Sequence, residues 1–139
     1  MGNRAVIAFE GSKTGIYLHW NGGESSVRAF LDSAKELGVR SDSYGVARLA
    51  QIIGNFFGGS LSVGVGSIDS LDCDNYDNGL FWVGNDWQIT KREYNQHAEP
   101  YDADYYFNVY NETMAKNYPL FRGEDYRKAV EKQPFTMGA

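Results

Sequence analysis

Apolar positions along this chain first alternate in short runs and later recur at helical spacing. Arg4–Phe9 and Ile16–Trp20 are β-branched and aromatic runs joined by the turn-rich EGSKTG, which predicts two strands paired as a hairpin. NGGESS then supplies a loop and a helix cap. Val27, Phe30, Leu31, Ala34 and Leu37 follow at i, i+3, i+4, i+7 and i+10, an amphipathic helix stopped by Gly38. Ser41–Ser43 can cap a second helix whose apolar side is Val46, Leu49, Ala50, Ile53 and Phe57, ended by Gly58-Gly59. Arg48 and Asn55 lie on its opposite side, near Tyr44 and Gln51. Leu61–Val65 alternates apolar with small residues, the pattern of a strand closely approached by another backbone or a ligand. Asn78-Gly79 favours a type I′ turn, with Leu80–Val83 and Trp87–Thr90 as strands beyond it.

After His97 the pattern becomes helical again. Tyr106, Val109, Tyr110 and Met114 mark a helix over Tyr101–Asn117, with Asp102 and Asp104 near its positive end. Pro119 is expected to break it, and Glu124–Lys132 reads as a short charged helix. The reading is one α+β domain with one mainly antiparallel sheet covered by two helices. Residues 1–92 form the ligand-binding core. Residues 93–139 form a helical C-terminal arm of the same domain, expected to contact a second subunit.

Composition changes this picture in two places. The run Tyr44–Ile68 carries a single charge, Arg48, and therefore reads as the buried centre of the fold. A guanidinium there needs an acceptor, which is either an internal carboxylate or a bound anion. The chain as a whole is aromatic (15%, with ten tyrosines) and carries a net charge of −5. That balance excludes an electrostatic footprint for duplex nucleic acid, yet leaves room for a small anion held by a few arginines. One cysteine, Cys73, gives no internal disulfide and fits a reducing cytoplasm. No signal peptide or membrane span is read from the sequence.

The candidate chemistry is thin for an enzyme. Asp69, Asp72, Asp74 and Asp77 cluster within SIDSLDCDNYDNG, but Tyr76 and Asp77 stand where a calcium loop needs a ligand and a glycine. Divalent-metal binding stays open beside a solvated loop whose aspartates stabilise turns, one of which could pair with Arg48. His19-Trp20-Asn21-Gly22-Gly23 joins a strand to a helix N-terminus, a geometry suited to an anion, with Trp20 available to stack. His19 and His97 have no ligand or triad spacing, and the aspartates beside Cys73 disfavour its thiolate. What remains is a binder built from arginine forks, amides and aromatic planes: Trp20, Asn21, Arg48, Asn55, Phe56, Asn75, Trp82 and Arg92. Arg122 and Arg127 of the arm could close over a ligand held by another subunit. No catalytic residue, metal site or cofactor is assigned.

GNRAVI (Gly2–Ile7), GIYLHWNGG (Gly15–Gly23), YGVARLAQIIGNFFGG (Tyr44–Gly59) and LDCDNYDNG (Leu71–Gly79) together resemble the anti-Thoeris sponges of phages and prophages. The similarity covers about the first 92 residues. Members of that family sequester cyclic ADP-ribose isomers made by bacterial TIR enzymes and do not degrade them. The resemblance implies a homodimer or an assembly of dimers in the host bacterial cytoplasm, with the pocket between one subunit's core and the other's arm. It carries Arg48 and Arg92 over as ligand contacts. Some members are also associated with cyclic oligonucleotides at separate sites. The chain departs from the pattern at Glu24, where an arginine is expected after the NGG turn; that departure implies a different ligand isomer, compensation by Arg28 one turn later, or loss of the activity. Two other readings stand beside the sponge. One is an acidic inhibitor of a host defence nuclease, of anti-CRISPR or antirestriction type. The other is a metal-dependent phosphodiesterase using Asp72, Asp74 and Asp77 with His19.

Overall fold

The computed structural model describes residues 2–60 and 62–121. Strands β1 (Ala5–Phe9) and β2 (Thr14–Leu18) precede helices α1 (Glu24–Glu36) and α2 (Ser43–Phe57). Strands β3 (Val63–Ser67), β4 (Leu80–Val83) and β5 (Ile89–Glu93) follow, and then helix α3 (Ala103–Phe121). The chain forms one open sheet in the order β3-β2-β1-β4-β5, with only the β1–β4 pairing parallel. It is α+β, with a mostly antiparallel sheet and three α-helices among the described residues.

Central β1 explains the layering. Ala5, Ile7 and Phe9 face the helices, joined there by Ile16, Leu18, Phe81 and Val83. Val6 and Ala8 face the other way with Leu80. Both faces of β1 are buried, so it reads as a continuous apolar run rather than an alternating one. Phe30 of α1 and Leu49 and Ile53 of α2 fill the helical side. α3 packs on α1 and α2 of its own chain, its Tyr106 hydroxyl donating to Asp32 at 2.5 Å. Burial, followed by that carboxylate, pushes the Tyr106 pKa well up.

The ends of α2 fall where expected, whereas other features differ. Asp42 caps α2 by accepting from the Gly45 amide, and Gly58 ends it in the left-handed conformation (φ 74). The uncharged run is not uniformly buried: Tyr44, Ala47, Arg48 and Gln51 are exposed. Low charge marked a helix with one buried face, not a helix buried all round. Asn78-Gly79 forms no type I′ hairpin turn, because only Gly79 has positive φ (71). Asn78 instead donates its amide to the Arg4 carbonyl, setting β4 parallel beside β1. A Cβ on Gly79 would come within 2.3 Å of the Glu93 and Tyr94 carbonyl oxygens, so this crossing requires glycine. The β4–β5 hairpin turns later, at Gly84–Gln88, and β5 starts at Ile89 rather than Trp87. Trp87 sits in that turn at φ 62, its indole donating to the Val39 carbonyl at 3.0 Å.

The predicted strand at Leu61–Val65 lies at Val63–Ser67. Pro119 does not end α3, which runs to Phe121; the proline forfeits its own N–H bond to the preceding turn, and only two residues follow it in the helix. The helix expected over Glu124–Lys132, with Arg122 and Arg127, lies outside the described residues.

Candidate functional site

Two polar regions hold the sequence-selected side chains. The first is the N-terminus of α1. Gly22 donates its amide to the Asn3 carbonyl at 2.8 Å, and a Cβ there would come within 2.5 Å of that oxygen. The NGG turn is therefore a close crossing of backbones. Asn21, at φ 56, donates to Ser26 Oγ at 3.1 Å and to Tyr105 Oη at 2.9 Å, tying the turn to α3. The Asp102 amide donates to Ser25 Oγ at 2.7 Å, while the Asp102 carboxylate caps α3 through the amides of Asp104 and Tyr105. A cleft of about 370 Å³ lies between this core edge and the start of the arm, bounded by Asn3, Glu24, Ser25, Glu99 and Tyr105.

Arg92 lies behind that cleft. Its Nη2 donates to the Asn78 carbonyl at 2.8 Å, and its Nη1 stands 3.4 Å from Glu24. The guanidinium covers the Phe81 ring at 3.7 Å, and its buried Nε has no partner among the described residues. Burial disfavours the charged form of Arg92, and Glu24 offsets part of that cost. Glu24 also accepts from Arg28 at 2.9 Å. The residue that departs from the sponge pattern is thus the counter-charge of one carried-over arginine. That pairing spans 68 residues, and the sequence offered no signal for it beyond opposite charge.

The second region is the outer face of α2. Tyr44 (63% exposed), Arg48 and Gln51 stand there within two turns. Arg40 lies over the Tyr44 ring at 4.8 Å and pairs with Asp42. Among the described residues Arg48 forms no ion pair, so its internal-carboxylate reading gives way. Asn55 is half-buried on the same helix. Phe56 packs edge-on against Phe30 and Phe57, with Lys116 over its ring at 5.3 Å.

Arg4 is the arginine that the acidic loop serves. Its Nε donates to Asp77 at 2.7 Å and its backbone amide to the same oxygen at 3.0 Å. These bonds hold the Asp77 carboxyl below the usual carboxylate range. Asn75 is buried and spent inside the loop. Its amide donates to the carbonyls of Asp72, Cys73 and Gly79, and its oxygen accepts from the amides of Asp77 and Gly79. Burial, then the neighbouring carboxylates, push the Cys73 thiol up. His19 bonds the Tyr17 hydroxyl at 2.8 Å, and half-exposed Trp20 meets the His19 ring edge-on. Among the described residues no three carboxylate, histidine or cysteine side chains are grouped to hold a metal ion.

Asn21 and Arg92 therefore share the α1 end of the molecule, whereas no contact among the described residues joins them to Arg48. No family profile, curated protein or solved structure matches this chain.

Proposed function

We propose that the chain is a non-catalytic sponge that binds a cyclic ADP-ribose-type signal and keeps it from a bacterial anti-phage pathway. The observation that carries this reading is the exposed Arg48 guanidinium on the outer face of α2, which forms no ion pair among the described residues, with Tyr44 and Gln51 beside it. A pyrophosphate accepts the arginine fork, an adenine face stacks on the tyrosine, and the amide reads a polar edge. Stoichiometric capture needs no nucleophile or metal. In this reading the protein is a homodimer or an assembly of dimers, and the second subunit's arm, with Arg122, covers the ligand. Arg92 joins the contact by exchanging Glu24 for a phosphate oxygen, with Arg28 as the residual partner of Glu24.

Calorimetry against cyclic ADP-ribose isomers and cyclic di- and trinucleotides, followed by heat denaturation and chromatography, tests it. Binding heat with intact ligand released is the expected result. Arg48→Ala should weaken capture about 10- to 100-fold while melting like the parent. A cleaved product would make the protein an enzyme, and absence of heat would end the small-molecule reading. The second reading, a protein-binding inhibitor, is favoured by an acidic groove on the far face of the sheet.

A further inference from the structure

That groove is used by nothing in the sponge reading and stands independently of it. On the β4–β5 hairpin Leu80 lies opposite Glu93 and Trp82 opposite Lys91, so these four side chains share the face turned away from the helices. The chain from Ile68 to Asp77 crosses that face and is pinned by Arg4 and Asn75. It leaves a cleft of about 480 Å³ between itself and the hairpin. The floor is apolar, made by Ile68, Leu71, Leu80 and Trp82.

The rim is acidic. Asp69, Asp72 and Asp74 are exposed on the loop side, and Glu93 stands on the strand side beside half-exposed Tyr94. Among the described residues few cations answer them. Arg4 is committed to Asp77 and reaches Asp72 only at 3.8 Å, and Lys91 is 3.9 Å from Glu93. Glu93 also accepts from the Trp82 indole at 2.7 Å, which holds the indole plane as a wall of the cleft. An apolar, aromatic floor under surplus carboxylates suits a side chain with a long apolar stem and a cationic head. Anionic nucleotides are repelled by the same rim. β5 is one of the two edge strands of the sheet and pairs with no further strand among the described residues, so an extended segment has an edge to follow along the groove.

We propose that this groove docks a basic, arginine- or lysine-bearing segment of another protein. One stem lies on Leu80 and Trp82, and its cation sits between Asp72 or Asp74 and Glu93. Surfaces that bind nucleic acid are rich in such segments, which makes a basic nucleic-acid-binding protein the partner class.

Fluorescein-labelled hexa-arginine, titrated with the full chain and followed by anisotropy, tests the proposal. Binding should saturate and weaken about five- to tenfold in the Asp72→Asn/Asp74→Asn double variant. Trp82→Ala should weaken it comparably; if that variant fails to fold, the exposed aspartate pair carries the test alone. A control with the same charge change elsewhere, Glu36→Gln/Asp104→Asn, should bind like the parent. Equal weakening in the control would overturn the proposal, because the peptide would then sense total charge only. Displacement of the peptide by spermidine at equal concentration would also overturn it, in favour of a polyamine site. So would binding that never saturates.

Discussion

The two faces of the sheet are covered by different means. On one face, Phe30, Leu49 and Ile53 from periodic helices bury Ile7, Ile16 and Phe81 in a continuous apolar core. On the other, an irregular loop lies over Val6, Ala8 and Leu80, held by one arginine–aspartate pair and one buried asparagine. The first face depends on buried area, which is non-directional and tolerates small shifts. The second depends on hydrogen bonds of defined geometry, each costly when one partner is lost. The difference teaches why the groove floored by the sheet itself lies on the second face: a loop stapled at a few points covers only part of what a helix layer seals.

The comparison can be broken from either side. Phe30→Ala empties a fully buried ring site that touches Phe56 and Phe57, and should cost about 3–5 kcal/mol in urea unfolding. Asn75→Ala should cost less, about 2–3 kcal/mol, since it strands the amide of Gly79 and carbonyls of the loop without opening the helical core. If it equals Phe30→Ala, the polar staple holds more of the fold than the comparison allows.

Asp77→Asn should have a smaller effect, and one that depends on pH. The Arg4 bond lowers the folded-state pKa of Asp77, so its contribution is present above the ordinary carboxylate range and lost as pH falls through the lowered value. Melting followed against pH should show a few degrees lost at neutral pH and a flatter acid limb than the parent. An unchanged acid limb would remove Asp77 from the account. Arg48→Ala should change stability least, within about 0.5 kcal/mol, because the side chain is exposed and pairs with no described carboxylate.

Glu24→Gln sharpens the account of the α1 end. It should leave the fold intact and, if Arg92 contacts the proposed ligand, tighten capture by freeing that guanidinium from its internal partner. Weaker capture would instead assign Glu24 itself to the ligand.

Local pattern carried the α1 face, the buried side of α2, strands β1 and β4, and with them the α+β class. A 3.6-residue period or an unbroken β-branched run needs no distant partner to be legible. The same local reading failed where a turn's role depended on what lay beside it. Asn78-Gly79 looked like a hairpin, and only the parallel pairing of β4 with β1 made it a crossover. Arg48 looked buried because its neighbours are uncharged, whereas the packing of α2 left its side open.

Of the candidate residues, the sequence by itself supplied the chemistry: arginine forks, amides and aromatic planes at named positions. Which of them remain available was decided by tertiary structure alone. Arg92 was matched to Glu24 across 68 residues, Arg4 to Asp77 across 73, and Asn21 to Tyr105 across 84. Asn75 was consumed within its own loop, and the carboxylates beside it became the rim of a groove. The reason is geometric. Helical and strand periods are properties of neighbouring residues, but a charge finds its partner through strand order and register, which no local pattern encodes.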